Sequence, residues 1–214
     1  MHESVYQLTD LEFSRKYRYE LEAIPVKNKQ RTISYEFYDF APRMFHLIRH
    51  FYGIDSNKYL QSIGPETLFG SLNMGKITSL KPLCSSGKSG SLFYYTADGK
   101  FMLKTISHDE FEHFKFIMKE YYYHLLKFPH TMIARFYGLH KIKFLKTTKT
   151  ERIYFVIMAN VFNTTRDIDV RYDLKGSTHG RVTRKDPNVH VNSKEALKDL
   201  DWLKDGPIIS LKPE

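Results

Sequence analysis

The chain has 214 residues, of which 42% are apolar and 15% aromatic, so it can bury a core, and its length favours one domain or one domain with an appendage. The longest nearly apolar run, residues 153–162, is too short to cross a bilayer, which limits any membrane contact to peripheral binding. A single cysteine, Cys84, excludes an intrachain disulfide and disfavours a zinc cluster, so we expect a cytoplasmic protein.

Positive charge exceeds negative charge and is concentrated in one segment. Lys and Arg number 33 against 24 Asp and Glu, a net charge of +9, and residues 135–186 alone hold 12 basic and 5 acidic side chains. A basic face attracts anionic lipid headgroups or nucleic acid, whereas the plainer alternative is a solvated surface. No motif that reads bases accompanies these residues, so we expect no nucleic-acid partner.

The first part of the chain is predicted to hold a tail and two helices. Residues 1–34 are polar and charged, and we treat them as an N-terminal extension with no assigned element. Apolar residues recur at spacings of three and four over residues 35–51, which predicts an amphipathic helix with Pro42 in its first turns. A shorter helix is predicted over residues 56–63, with Ser56 as its N-cap and Gly64 at its end.

A β-hairpin is predicted next along the chain. Residues 91–97 are rich in Leu, Phe, Tyr and Thr, Asp98-Gly99 is a two-residue turn signal, and residues 100–106 return as the second strand.

A long helix and a second strand pair complete the predicted elements. The helix starts at a cap formed by Ser107 and ends where Phe128-Pro129 breaks the pattern. Residues 135–143 and 152–158 then predict two further strands. The fold class is therefore α+β, with an antiparallel sheet flanked by helices.

Two features near the hairpin point to phosphate chemistry. A loop before its first strand consists of Gly87, Lys88, Ser89, Gly90 and Ser91. Lys104 lies within its apolar second strand. Glycine lets backbone N–H groups approach the phosphates of ATP, and a cation on a rigid strand holds that charged chain in register. The plainer alternatives are a polar turn and an exposed strand lysine, but a Walker A loop is excluded, because it requires glycine where Pro82 stands.

A lysine that binds ATP phosphates needs a carboxylate partner on the following helix. Glu110 and Glu112 both lie in the first turns of that helix. Each is also explained by favourable placement of negative charge near a helix N-terminus, and spacing alone does not choose between them.

Two further segments are candidates for contacts with nucleotide. Asn160, Val161 and Phe162 follow the last predicted strand, where a kinase hinge contacts adenine, although a plain strand end is the alternative. The motif YDLKGS at residues 172–177 places Lys175 beside a glycine. Arg171 adds positive charge of the kind that stabilises a phosphoryl group in transfer.

Together these motifs resemble the phosphatidylinositol phosphate kinase family. The resemblance covers residues 35–214 and rests on segments that follow the order of the family. They are YDFAP at 38–42, GKSGS at 87–91, FMLKT at 101–105, RFYGL at 135–139, VIM at 156–158, YDLKGS at 172–177 and LKDLDWL at 197–203. The resemblance implies a kinase-like N-terminal lobe.

The resemblance also implies a reaction and its partners. These kinases transfer the γ-phosphate of ATP to an inositol hydroxyl of a phosphatidylinositol phosphate, and the chain looks most like the 4-phosphate 5-kinases. Lys175 would approach the transferred phosphate, and Mg²⁺ would accompany ATP. The expected partners are the phosphatidylinositol phosphate lipid and the anionic inner face of the plasma membrane.

A second hypothesis is a non-catalytic nucleotide- or membrane-binding module derived from that family. Family members carry a catalytic aspartate in an MDYSLL-like motif and a metal-binding aspartate in an IID-like motif, and neither follows YDLKGS here. We therefore expect the 214 residues to transfer phosphate weakly unless a second chain assists. A homodimer through the helix predicted around residues 37–51 is a further expectation.

Overall fold

A computed structural model describes most of the chain in six ranges, which are residues 6–25, 32–64, 80–83, 91–145, 151–184 and 196–206. The chain divides into two compact units, residues 1–163 and residues 164–214.

An antiparallel sheet forms the centre of the first unit. Within the described ranges it has seven strands, in the order β1-β2-β6-β7-β5-β4-β3. The strands are β1 Lys16–Pro25, β2 Thr32–Phe40, β3 Leu80–Leu83, β4 Phe93–Thr96, β5 Phe101–Ile106, β6 Phe136–Leu145 and β7 Glu151–Ala159. The predicted α+β class and the antiparallel sheet flanked by helices are confirmed.

Helices pack against this sheet through aromatic side chains. The described helices are α1 Asp10–Ser14, α2 Pro42–Phe51, α3 Ser56–Ile63, α4 His108–Lys127 and, in the second unit, α5 Asp199–Asp205. Phe111 of α4 lies 4.9 Å from Phe40 and 4.6 Å from Tyr154, measured between ring centroids. Phe45 of α2 contacts Phe114 of α4 in the same core. Helix α4 is therefore fixed against strands β2 and β7.

The predicted hairpin is confirmed and places Lys104 in the middle of the sheet. Strands β4 and β5 pair in the register Phe93↔Lys104, and the turn between them holds Gly99 at a φ of +69°. On its other side Lys104 pairs with Val156 of β7. Because β5 has a hydrogen-bonded neighbour on each side, the backbone of Lys104 is held rigidly.

The prediction of one helix over residues 35–51 is wrong for its first part. Residues up to Phe40 form strand β2, and the helix begins at Pro42. Ala41 between them has a left-handed backbone (φ 44°), and proline disfavours helical geometry in the residue before it. The spacing of Phe37 and Phe40 is compatible with one face of a helix. The segment is a strand because its backbone N–H and C=O groups form hydrogen bonds with both β1 and β6.

Residues 1–34, to which the sequence analysis assigned no element, contain helix α1 and strand β1. Strand β1 alternates charged and aromatic side chains, such as Lys16 and Tyr17, and pairs with β2 along its length. The N-cap of α3 also differs from the prediction, because the carboxylate of Asp55, rather than Ser56, accepts the N–H of Lys58 at 2.8 Å.

Replacing Ser107 by alanine is expected to destabilise the first unit by about 1 kcal/mol, the typical value of an N-cap. The Ser107 hydroxyl accepts the N–H of Glu110 at 3.1 Å, and the Glu110 carboxylate accepts the N–H of Ser107 at 2.7 Å. Chemical denaturation measures the loss. Ser56→Ala is the matched control, and an equal loss in both variants would contradict the assignment of these caps.

Candidate functional site

Lys104 and Glu110 are brought together between strand β5 and helix α4. The Lys104 Nζ atom lies 3.8 Å from the nearer carboxylate oxygen of Glu110 and 5.8 Å from the centroid of the Phe93 ring. The Lys104 side chain is 29% exposed, so it is partly accessible to solvent. A ligand with negative charge can therefore approach it.

The structure distinguishes the two glutamates that the sequence left open. Glu112 pairs with Lys115 at 2.9 Å and lies 3.8 Å from His108, whereas Glu110 faces Lys104. The N–H of Ser107 holds the pKa of Glu110 below its usual value, and the Lys104 ammonium lowers it further, against the effect of burial. Glu110 is therefore ionised at neutral pH and is the partner of Lys104.

Glu110→Gln is expected to weaken ATP binding about threefold to tenfold, because a positioned cation loses its charged neighbour. Glutamine can still accept the N–H of Ser107, so the helix cap survives. Calorimetric titration with ATP measures the change. Glu112→Gln removes the same charge from a different face of α4 and should leave the affinity for ATP unchanged. A larger loss of affinity in Glu112→Gln than in Glu110→Gln would refute the pairing.

The glycine loop is described only at its last residue. Gly87, Lys88, Ser89 and Gly90 lie outside the described residues, and Ser91 is buried. Directly after it, Leu92 exchanges two hydrogen bonds with Thr105, one to its hydroxyl at 2.8 Å and one to its backbone N–H at 2.9 Å. Thr105, which the sequence analysis did not single out, thus ties the end of the loop to the strand that carries Lys104.

The segment after β7 forms a turn that is fastened to the hairpin. The side-chain amide of Asn160 donates to the carbonyl of Gly99 at 2.6 Å, and its backbone N–H donates to the carbonyl of Lys100 at 3.0 Å. The side-chain oxygen of Asn160 accepts the backbone N–H of Phe162 at 3.0 Å. Asn160 is therefore a structural anchor, while Val161 is 68% exposed and Phe162 is 37% exposed.

In the second unit, the YDLKGS loop is organised by Asp199, at the start of α5. One carboxylate oxygen of Asp199 accepts the backbone N–H groups of Lys175 at 2.9 Å and Gly176 at 2.8 Å, and more weakly that of Ser177 at 3.3 Å. The other accepts Nε of Arg181 at 2.7 Å. These amides are committed to a carboxylate, so the loop offers a ligand its side chains rather than its backbone.

The two residues predicted to act on phosphate both lie in this unit. The Nζ atom of Lys175 lies 2.9 Å from the Asp173 carboxylate, and its side chain is 61% exposed. Arg171 lies beside the parallel bridge between Tyr172 and Leu197, where its carbonyl accepts the N–H of Leu197 at 2.8 Å. The exposed ammonium of Lys175 is thus accessible to an anionic ligand.

Sequence reasoning missed Asp199 and Asp201 as functional residues. Asp201 is 2% exposed and accepts the N–H groups of Thr183 at 2.8 Å and Arg184 at 3.1 Å. The signal was present in the LKDLDWL segment, which contributed only to the resemblance. Two aspartates in a partly apolar stretch predict buried carboxylates that need hydrogen-bond donors, although the stretch does not identify those donors.

Comparison with known proteins decides the family. A sequence model of the family described as Phosphatidylinositol-4-phosphate 5-Kinase matches residues 75–214, which include Lys104, Glu110 and Lys175. The chain belongs to the phosphatidylinositol-4-phosphate 5-kinase family. The resemblance drawn from its motifs is therefore confirmed, and lipid kinases are its relatives.

Individual kinases of this family align with most of the chain. A phosphatidylinositol 4-phosphate 5-kinase of Plasmodium falciparum is 39% identical over 197 residues, which cover 89% of this chain and 11% of the relative. The kinase its3 of Schizosaccharomyces pombe is 34% identical over 92% of this chain and 25% of its own length. Phosphatidylinositol 4-phosphate 5-kinase 1 of Arabidopsis thaliana is 32% identical, with 90% and 24% covered. The chain thus spans a quarter or less of the length of these curated relatives.

The described ranges of this family member were searched for membrane-spanning helices and for groups of metal-binding side chains. No described helix is long and apolar enough to cross a bilayer. No three His, Cys, Asp or Glu side chains in those ranges are grouped so that they could hold a metal ion.

Proposed function

We propose that this chain forms the nucleotide-binding part of a phosphatidylinositol 4-phosphate 5-kinase. In this role ATP is held by Lys104 and by the loop at residues 87–91, and its γ-phosphate is passed to an inositol hydroxyl of a phosphatidylinositol phosphate. The observation that carries the proposal is the Lys104–Glu110 pair of 3.8 Å, formed between a central strand and a packed helix. That arrangement is how kinases fix a lysine against nucleotide phosphates.

The roles of the remaining residues follow from their placement within each unit. Asn160 fixes the turn after β7, which leaves the exposed Val161 and Phe162 to contact the base. In the second unit, Lys175 is exposed on a loop fixed by Asp199, and its proposed role, which the family resemblance implies, is to supply positive charge to a phosphoryl group. We place the kinase at the cytoplasmic face of the plasma membrane, where its lipid substrate and an anionic surface coincide.

Binding of ATP and transfer of phosphate are separate properties of the 214 residues. The MDYSLL-like and IID-like motifs of the family do not follow YDLKGS in this sequence. Positioning of the nucleotide requires the Lys104 cation and the phosphate loop proposed at residues 87–91, whereas efficient transfer also requires a base and a metal. We therefore infer that these residues bind ATP and contribute little turnover alone. A non-catalytic regulatory module derived from the family would have the same two properties.

Calorimetric titration of the 214-residue chain with ATP in the presence of magnesium tests the proposal. Saturable binding with a micromolar Kd is the expected result. A titration without binding up to millimolar ATP would refute a nucleotide-binding role. Robust conversion of phosphatidylinositol 4-phosphate by the same preparation would refute the separation of binding from transfer.

A further inference from the structure

A recess of about 370 Å³ lies on the surface between the first turns of α4 and strands β6 and β7. Its volume is at the lower end of that of small-molecule pockets, which hold about 300–1,000 Å³. It is at the opposite end of β7 from the turn at Asn160, since its residues Arg152 and Tyr154 belong to the start of that strand. Arg152 and Ala159 are seven residue steps apart along the strand, about 23 Å at a rise of about 3.3 Å per residue.

The recess has a strong excess of positive charge. Five cationic side chains line it, against a single carboxylate, that of Glu112. The five cations are Lys16, Lys115, Lys141, Lys143 and Arg152. The exposed imidazole of His108 also reaches the recess.

Only two of these cations are neutralised by nearby carboxylates. Lys115 pairs with Glu112 at 2.9 Å, and Lys143 pairs with Glu36 at 3.0 Å. In the described part of the chain, Lys16, Lys141 and Arg152 form no ion pair. Three cations therefore face the recess with no carboxylate partner there.

Strand register fixes most of these cations in place. Tyr38, Lys141 and Tyr154 are directly opposite one another across β2, β6 and β7, and in the next row Lys143 is opposite Arg152. The Lys141 ammonium lies 3.7 Å from the centroid of the Tyr38 ring. The backbone positions of Lys141, Lys143 and Arg152 are thus fixed relative to one another, and the Lys141 ammonium is held against the Tyr38 ring.

The surroundings of Lys141 disfavour its charged form. Burial lowers the pKa of Lys141, and the positive charges of Lys16, Arg152 and Lys143 lower it further, whereas the Glu36 carboxylate opposes the shift. An anion in the recess would offset that repulsion, because each cation would gain an opposite charge at short range. The geometry of the recess therefore favours an anion over a neutral or cationic ligand.

We propose that this recess binds a phosphate-bearing small anion, of the class of phosphorylated sugars and inositol phosphates. Lysine ammonium groups contact phosphate as point charges, and arginine can engage two phosphate oxygens at once. Tyr154, which also lines the recess and is only partly buried, offers an aromatic surface to the ring of a sugar or inositol. The same headgroup can arrive as a free molecule or as part of a lipid.

Binding of inositol trisphosphate by the full 214-residue chain tests the proposal. The probe is titrated free in solution by calorimetry, and its headgroup is presented on phosphatidylcholine vesicles in a sedimentation assay. The double variant Lys141→Gln with Arg152→Gln is expected to lose about a hundredfold in affinity, since two charge-assisted contacts are removed. The matched control, Lys127→Gln with Arg166→Gln, removes two exposed charges elsewhere and is expected to retain the affinity of the wild type.

The pattern of losses identifies the source of the ligand. A selective loss for the free trisphosphate supports a soluble ligand, and a selective loss only on vesicles supports a lipid headgroup. Equal affinities in the recess variant and the control variant, or no binding of either probe, overturn the proposal. Arg152→Gln alone, at an exposed side chain, repeats the test without altering the part-buried Lys141. Neither assay contains nucleotide, so its outcome is independent of ATP binding.

Discussion

Lys104→Ala is expected to weaken ATP binding by about ten- to a hundredfold. A charge-assisted hydrogen bond contributes about 1.5–3 kcal/mol, and each 1.4 kcal/mol changes an affinity tenfold. Lys104 is the cation that β5 and Glu110 hold between the sheet and α4, so the variant removes the positive charge without disturbing its supports. The measurement is a calorimetric titration of wild type and variant with ATP under identical salt.

Lys100→Ala is the matched control for this experiment. Lys100 precedes β5, and its ammonium lies 3.8 Å from Asp98 with a side chain that is 51% exposed. The substitution removes one lysine from the same hairpin and leaves the net charge equal to that of the Lys104 variant. If both variants bind ATP as the wild type does, Lys104 is an ordinary surface lysine and the proposed nucleotide site is wrong.

The hairpin and the long helix could be predicted from sequence because their signals are local. Asp98-Gly99 forms the turn, Ser107 forms the cap, and Phe128 ends the helix as expected. Strand β2 could not be predicted in the same way, since residues 35–40 carry apolar side chains at helical as well as strand spacing. Its hydrogen bonds to β1 and β6 select the strand conformation. These partners are distant in sequence, since Phe40 pairs with Lys16 of β1 and Ser34 pairs with Leu145 of β6.

A residue of the candidate site could be predicted where its type and its local sequence pattern were sufficient to indicate its role. Lys104 follows from its position in an apolar strand, yet the choice of Glu110 over Glu112 required the packing of α4 on the sheet. The contacts that hold the YDLKGS loop were invisible, because Asp199 is 24 residues from Lys175. A sequence shows that an aspartate is present, but it does not show which backbone amides that carboxylate will accept.

Asp199→Ala is expected to release the YDLKGS loop. The substitution removes the acceptor of the Lys175 and Gly176 amides and leaves the Arg181 guanidinium without its closest carboxylate. Gly176 has a φ of +68°, which glycine adopts without strain, and its conformational freedom lets the loop leave this geometry once its amides lose their acceptor. Hydrogen exchange at the amides of residues 175–177 is expected to become at least about tenfold faster.

Asp169→Ala is the control, because it removes an exposed aspartate from the same unit. Amides of strand β5, in the first unit, should keep their protection in both variants. Trp202 in α5 provides a second readout, since its ring contacts Tyr172 at 4.9 Å and it is the one tryptophan of the chain. Unchanged exchange and unchanged Trp202 emission in Asp199→Ala would contradict the organising role of this carboxylate.

The pH dependence of this contribution has a defined sign. The hydrogen bond from Arg181, supported by the amides of Lys175 and Gly176, holds the pKa of Asp199 well below its usual value. A carboxyl group with a depressed folded-state pKa stabilises the fold fully above its unfolded pKa, about 3.9, and loses that effect as the pH falls toward the folded value. The difference in thermal stability between wild type and Asp199→Ala, followed by Trp202 emission, should therefore be constant near neutral pH and narrow below about pH 4. A difference that widens on acidification would show that the aspartate is protonated in the folded protein, which is incompatible with the ion pair to Arg181.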